Sequence, residues 1–128
     1  MKHKILIVED DEKIIKALTV RLKSQGYEVV TAVDAVMATA KAMEHHPDLV
    51  LLDISMPGGN GFTVAERLRD SSLTIDTPIV FLTASKEPGL RERARTLGAA
   101  GFLEKPFEAQ DLVSVIQQAL AGCPTPTI

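Results

Sequence analysis

The chain has a single cysteine, Cys123, among its 128 residues. No internal disulfide can therefore staple the fold, and with no histidine nearby in sequence the thiol has no partner for nucleophilic or metal chemistry. Long apolar runs are missing too. The longest, such as Ile5 to Val8 and Leu49 to Leu52, fall far short of the roughly 20 residues needed to span a bilayer. Lys2, His3 and Lys4 lead into a strand-length run and then into acids, which is not the pattern of a signal peptide, so a cytoplasmic location is expected. Basic charge is scarce as well. A formal net charge of -3 and a pI near 5.6 leave no broad cationic surface for nucleic acid or an anionic membrane, and neither is expected as a direct partner. No G-x-G-x-x-G or P-loop follows the first apolar run, and its loop, Glu9-Asp10-Asp11, would repel a phosphate not bridged by metal. His45 and His46 are adjacent, so on a helix they point about 100° apart and suit a solvated helix end better than a metal site.

What is present is the composition of one soluble domain, 45% apolar and 24% charged, in a chain long enough for one core and too short for two. Short apolar runs alternate with helix-period segments from end to end, as in a parallel sheet crossed over by helices. The runs are Ile5–Val8, Val29–Ala32, Leu49–Leu52, Ile79–Leu82 and Gly101–Leu103. The first, third and fourth are continuously apolar, as central strands covered on both faces should be. Between the runs, helical spacing predicts five buried stripes: Ile14, Leu18, Leu22; Val36, Ala40, Met43; Phe62, Ala65, Leu68; Leu90, Ala94, Leu97; and Leu112, Ile116, Leu120. Gly26 and Gly98 stand where helices should end. Residues 122–128, with Pro124 and Pro126, cannot continue the last helix and read as a tail or the start of a linker, leaving 1–121 as the domain.

In an open parallel sheet, ligands bind beyond the carboxyl ends of the strands. The residues just after the runs are Glu9, Asp10 and Asp11, then Asp53, Thr83 and Lys105. Each alone has an ordinary explanation: Asp10 or Asp11 can cap a helix and Asp53 can serve a turn before Pro57. Together they place several carboxylates at one rim, which would repel one another without a cation among them. Mg²⁺ suits carboxylates, carbonyls and water when phosphate chemistry is involved, and Lys105 supplies a second positive charge. Charge matching of an arriving phosphoryl group is the main task in phosphoryl transfer, and Thr83 can donate a hydrogen bond to it.

Val8-Glu9-Asp10, then Asp53-Ile54-Ser55-Met56-Pro57 with Gly61 following, then Thr83-Ala84, then Lys105-Pro106-Phe107 resembles the receiver domains of two-component response regulators, of the chemotaxis-regulator type, over essentially the whole chain through residue 121. The resemblance implies an α/β, flavodoxin-like, doubly wound (βα)5 fold with a five-stranded parallel sheet in the order 2-1-3-4-5. It implies that Asp53 takes a phosphoryl group from a histidine kinase or a histidine phosphotransfer protein. Glu9, Asp10, Asp53 and the backbone carbonyl of Ser55 would hold Mg²⁺, Thr83 and Lys105 would bind the phosphoryl oxygens, and Thr83 with Phe102 would form the switch. Pro57, Gly61 and Pro106 would be structural, with Lys105–Pro106 cis. The surface of the fourth helix, fifth strand and fifth helix would pass the signal to an effector domain or a downstream protein, or into a phosphorylation-dependent homodimer. Ser55 and Ser85 occupy positions that tune dephosphorylation in the family.

The domain is thus expected to be a phosphoacceptor that assists its own phosphorylation and dephosphorylation, not an enzyme acting on other substrates. The alternative is a phosphatase of the haloacid-dehalogenase type. That reading wants a second acid two residues after the nucleophile, where this chain has Ser55, and a cap insertion for which there is no room. Phe102 also has a plain alternative as core packing, and Asn60 as a helix cap.

Overall fold

Leucine and β-branched runs that can be covered on both faces form strands, and all five do so: β1 Lys4–Val8, β2 Glu28–Ala32, β3 Leu49–Asp53, β4 Ile79–Thr83 and β5 Gly101–Glu104. In the computed structural model they pair in parallel as one sheet, in the order β2-β1-β3-β4-β5. The expected topology and the expected central strands are both observed. Residues 2–56 and 60–122 are described; Pro57, Gly58, Gly59 and Cys123 to Ile128 lie outside them.

The crossovers are α1 Glu12–Ser24, α2 Ala35–His45, α3 Gly61–Arg69, α4 Leu90–Thr96 and α5 Ala109–Leu120. Strand side chains alternate between two cores. Leu6, Val8, Val50, Leu52, Ile79, Phe81 and Phe102 pack with α2, α3 and α4. Ile5, Ile7, Leu49, Leu51, Val80, Leu82 and Leu103 pack with α1 and α5. Each fully buried side chain of this size stabilises the fold by about 1.5–3 kcal/mol.

Local chemistry sets where the helices begin. The Asp11 carboxylate accepts from the Lys13 and Ile14 amides at 2.9 and 3.4 Å, Asp34 from Met37 at 2.8 Å, and Asn60 from Thr63 at 3.1 Å, satisfying amides that have no partner in the first turn. Gly26 and Gly98 follow α1 and α4 with φ of 89° and 73°, the positions the sequence marked for helix ends. His46 closes α2 in the left-handed region.

One predicted stripe is wrong. Val36 is 69% exposed and the buried face of α2 is Ala35, Ala38 and Ala42, not Val36, Ala40 and Met43. Alanines let this helix sit close to the sheet, and its larger side chains are turned away from that close approach.

Arg69, the last residue of α3, ties the opposite end of the sheet together. Its guanidinium donates to the carbonyls of Leu97, Ile75 and Thr77 at 3.1, 2.9 and 2.8 Å and to Gly98 at 3.4 Å. The loop before β4 and the C-terminus of α4 are held by one side chain. Among the described residues, no helix is long and apolar enough to cross a membrane.

Candidate functional site

β1 and β3 are neighbours, paired Val8 to Leu52, so the residues that follow or end them meet at one rim. Glu9 stays buried, 1% exposed, because its amide continues the ladder to Ala32 at 3.0 Å. Asp53 closes β3 and is 5% exposed, while Asp10 is exposed. Carboxylate oxygens of Glu9, Asp10 and Asp53 lie within 4.8 Å of one another. That donor set fits a hard, oxygen-seeking divalent cation.

Lys105 enters from the end of β5, positioned by its amide, which donates to the Thr83 carbonyl at 2.7 Å. Its Nζ lies 2.6 Å from Glu9 Oε1 and 3.6 Å from Asp53 Oδ2. Burial alone would lower the Lys105 pKa, but the hydrogen bond to Glu9 and the charges of Asp53 and Glu9 outweigh it and raise the pKa. The ammonium is therefore a fixed cation at neutral pH. Burial raises the Glu9 pKa, and the neighbouring Asp53 raises it further against the pull of Lys105. One ammonium does not satisfy the acids, so a further cation fits the electrostatics.

Thr83 ends β4 beside β3, with Asp53 in register with Leu82, and is 1% exposed. Its hydroxyl oxygen accepts from the Ser85 amide at 3.0 Å, leaving its proton free to be donated elsewhere. The Ser55 amide donates to Asp53 Oδ1 at 3.3 Å, which places the Ser55 backbone beside the carboxylate. The Lys105–Pro106 peptide is cis. Gly61 shows why the acceptor loop needs glycine: its amide donates to the Ile54 carbonyl at 2.8 Å, and a Cβ there would collide with the Asp53 carbonyl oxygen. Pro57, named from the sequence as structural, lies outside the described residues.

Phe102, in register with Phe81, is 3% exposed and belongs to the core beneath α4. Sequence reasoning overlooked what covers it. Arg91 of α4 sets its guanidinium 4.6 Å from the ring centroid and reaches Glu104 Oε1 at 3.1 Å, and Lys86 reaches Glu104 Oε2 at 2.9 Å. The hint in the sequence was two basic residues flanking the fourth helix start and one acid two places beyond Phe102 on its strand, so on the same face of the sheet.

A response regulator receiver domain model matches residues 5–117. The DNA-binding dual master transcriptional regulator RpaA of Synechocystis is 35% identical over 117 residues, covering 91% of this chain and 48% of that protein. The chain thus spans about half the length of that relative. A putative response regulator from Chloroflexus aurantiacus superposes with a TM-score of 0.89 at 35% identity, covering 94% of this chain and 99% of the other. The receiver domain of the sensor histidine kinase PA1611 from Pseudomonas aeruginosa, solved with a magnesium ion coordinated in its active-site cleft, gives 0.86 at 28% identity over 94% and 99% of the two chains. Motif order, sheet topology and these similarities agree, and the chain belongs to the response regulator receiver domains, the modules of phosphorylation-dependent two-component signalling.

Proposed function

We propose that Asp53 is the phosphoryl acceptor of this domain, with a histidine kinase or a histidine phosphotransfer protein as donor. The observation that carries the reading is the acid cluster of Glu9, Asp10 and Asp53 within 4.8 Å, with the Lys105 ammonium 3.6 Å from Asp53 Oδ2. An Asp53 carboxylate oxygen attacks the phosphorus of a phosphohistidine. The O–P bond forms as the N–P bond breaks, and the leaving imidazole recovers its proton from solvent.

Glu9, Asp10, Asp53 and the Ser55 carbonyl are the groups that would hold Mg²⁺, which when bound neutralises phosphoryl charge. Lys105 matches the charge on another phosphoryl oxygen, and the Thr83 hydroxyl donates to a third. Discharge adds water to the acyl phosphate, releases phosphate and restores the carboxylate, a reaction the domain assists on itself. Thr83 and Phe102 act as the switch pair that relays the new charge to the surface of α4, β5 and α5, for reading by an effector domain, a downstream protein or a second copy of the chain. Residues 1–121 are the domain in this reading, 122–128 the tail, and the setting is cytoplasmic.

Incubation with acetyl phosphate and Mg²⁺ tests the acceptor. A mass increase of one phosphoryl group is expected, lost in Asp53→Ala and strongly reduced in Lys105→Ala. Labelling undiminished in Asp53→Ala would remove Asp53 from the mechanism.

A further inference from the structure

Phe102 faces the core, and the side chains that close over its ring come from α4 and the end of β5. The ring lies on β5 with Glu104 two residues further on the same face of the strand. Glu104 takes Arg91 from the first turn of α4 and Lys86 from the loop before it, at 3.1 and 2.9 Å. Arg91 in turn puts its guanidinium carbon over the Phe102 ring, 4.6 Å from the centroid. Glu104 is held below its usual pKa by Lys86 and Arg91, so the strap stays ionised at neutral pH. Beside the ring the structure leaves a groove of 300 Å³, lined in part by Ser85, Lys86, Arg91, Phe102 and Glu104. The strap therefore covers the side of the ring that faces this groove, while the rest of the ring packs in the core.

We propose that Arg91, anchored by Glu104, is a positioning residue for the phosphoryl switch. It favours the inward ring before any phosphoryl group arrives. This rests on the assignment of Asp53 as acceptor and Phe102 as switch. The loop that carries Lys86 begins directly after Thr83, so holding that loop to β5 also restrains the backbone of the hydroxyl that must meet the phosphoryl group. With the inward form as the one that accepts the phosphoryl group, the labelling rate follows the inward population. A partly exposed cation over an aromatic ring shifts such a balance by about two- to fivefold, and that is the effect expected from losing the guanidinium.

The test uses the full chain as the unaltered protein, Arg91→Gln, Arg91→Lys and Glu104→Gln. Two readouts are taken: NOEs from the Phe102 ring to the buried cluster of Phe81 and Ala94, and the initial rate of labelling by acetyl phosphate with Mg²⁺. Weaker inward NOEs and labelling about two- to fivefold slower are expected in Arg91→Gln and in Glu104→Gln, with Arg91→Lys between them and the unaltered chain. Unchanged NOEs in Arg91→Gln overturn the proposal, and so do reduced NOEs with unchanged labelling. If Arg91→Gln does not fold, Glu104→Gln decides by the same two readouts. Absence of labelling in the unaltered chain defeats the acceptor assignment instead, and the NOEs still report whether Arg91 holds the ring.

Discussion

Glu9 carries the most informative titration in the molecule, because burial raises its pKa from the ordinary 4.5 and Asp53 adds to the rise. A carboxyl whose folded pKa is raised stabilises the fold fully below its unfolded pKa, and that contribution is lost as pH climbs through the folded value. In the metal-free domain the Glu9 contribution should therefore fade on going from acid toward neutral pH, opposite in sign to that of the depressed Glu104, and Glu9→Gln should remove that component of the slope while weakening Mg²⁺ binding. Urea titrations at several pH values, with chelator and with Mg²⁺, check both. Equal slopes for the two proteins in chelator would show that Glu9 is not the group responsible. Lys105 has the same sign at the other end of the scale: its raised pKa contributes stability below its unfolded value that disappears only in strong alkali. Gly61 gives a steric counterpart. Gly61→Ala drives a methyl into the Asp53 carbonyl, and overpacking of this kind costs about 1–3 kcal/mol. Denaturant midpoints measure the loss, and the displaced Asp53 should label more slowly in the same variant.

Among the elements, α2 shows where pattern reading stops. Its sequence, AVMATAKAMEH, offers small apolar residues on several faces, so period alone does not choose one. Size chose it: Ala35, Ala38 and Ala42 are fully buried and Val36 is not. Ala38→Leu should cost about 1–3 kcal/mol by overpacking, whereas Val36→Lys should stay within about 0.5 kcal/mol. Thermal melts of the two variants decide between the faces. The strands were far easier to read, because short continuous apolar runs alternating with helix-period segments match a sheet covered on both sides, and a parallel sheet gathers its loops at one rim. That is why Glu9, Asp10, Asp53, Thr83 and Lys105 could be grouped from sequence. Arg69, Arg91 and Glu104 could not. Their partners are backbone carbonyls, a ring face and side chains 6 to 29 residues away, and no helix or strand period encodes such contacts.

At the scale of the whole molecule, an acidic cluster marks one end of the sheet and a guanidinium bound to backbone carbonyls holds the other. Mg²⁺ should bind the first and raise the melting temperature, with about 2.7 kcal/mol of added stability at a concentration 100 times its dissociation constant. A melt repeated in chelator measures the difference, and Asp10→Ala should reduce it. The far end is fixed by the Arg69 guanidinium on the carbonyls of Leu97, Gly98, Ile75 and Thr77. A guanidinium with that many carbonyl partners behaves as a hinge pin. The last turn of α4 is anchored through it, while the first turn carries the exposed Arg91–Glu104 ion pair, so the helix can act as a lever about 10 Å long with its fulcrum far from the acids. Small displacements near Thr83 would then be magnified at Leu90 and damped at Leu97. Amide hydrogen exchange along α4 should show that gradient, fast at its start and slow at its end, and Arg69→Met should erase it.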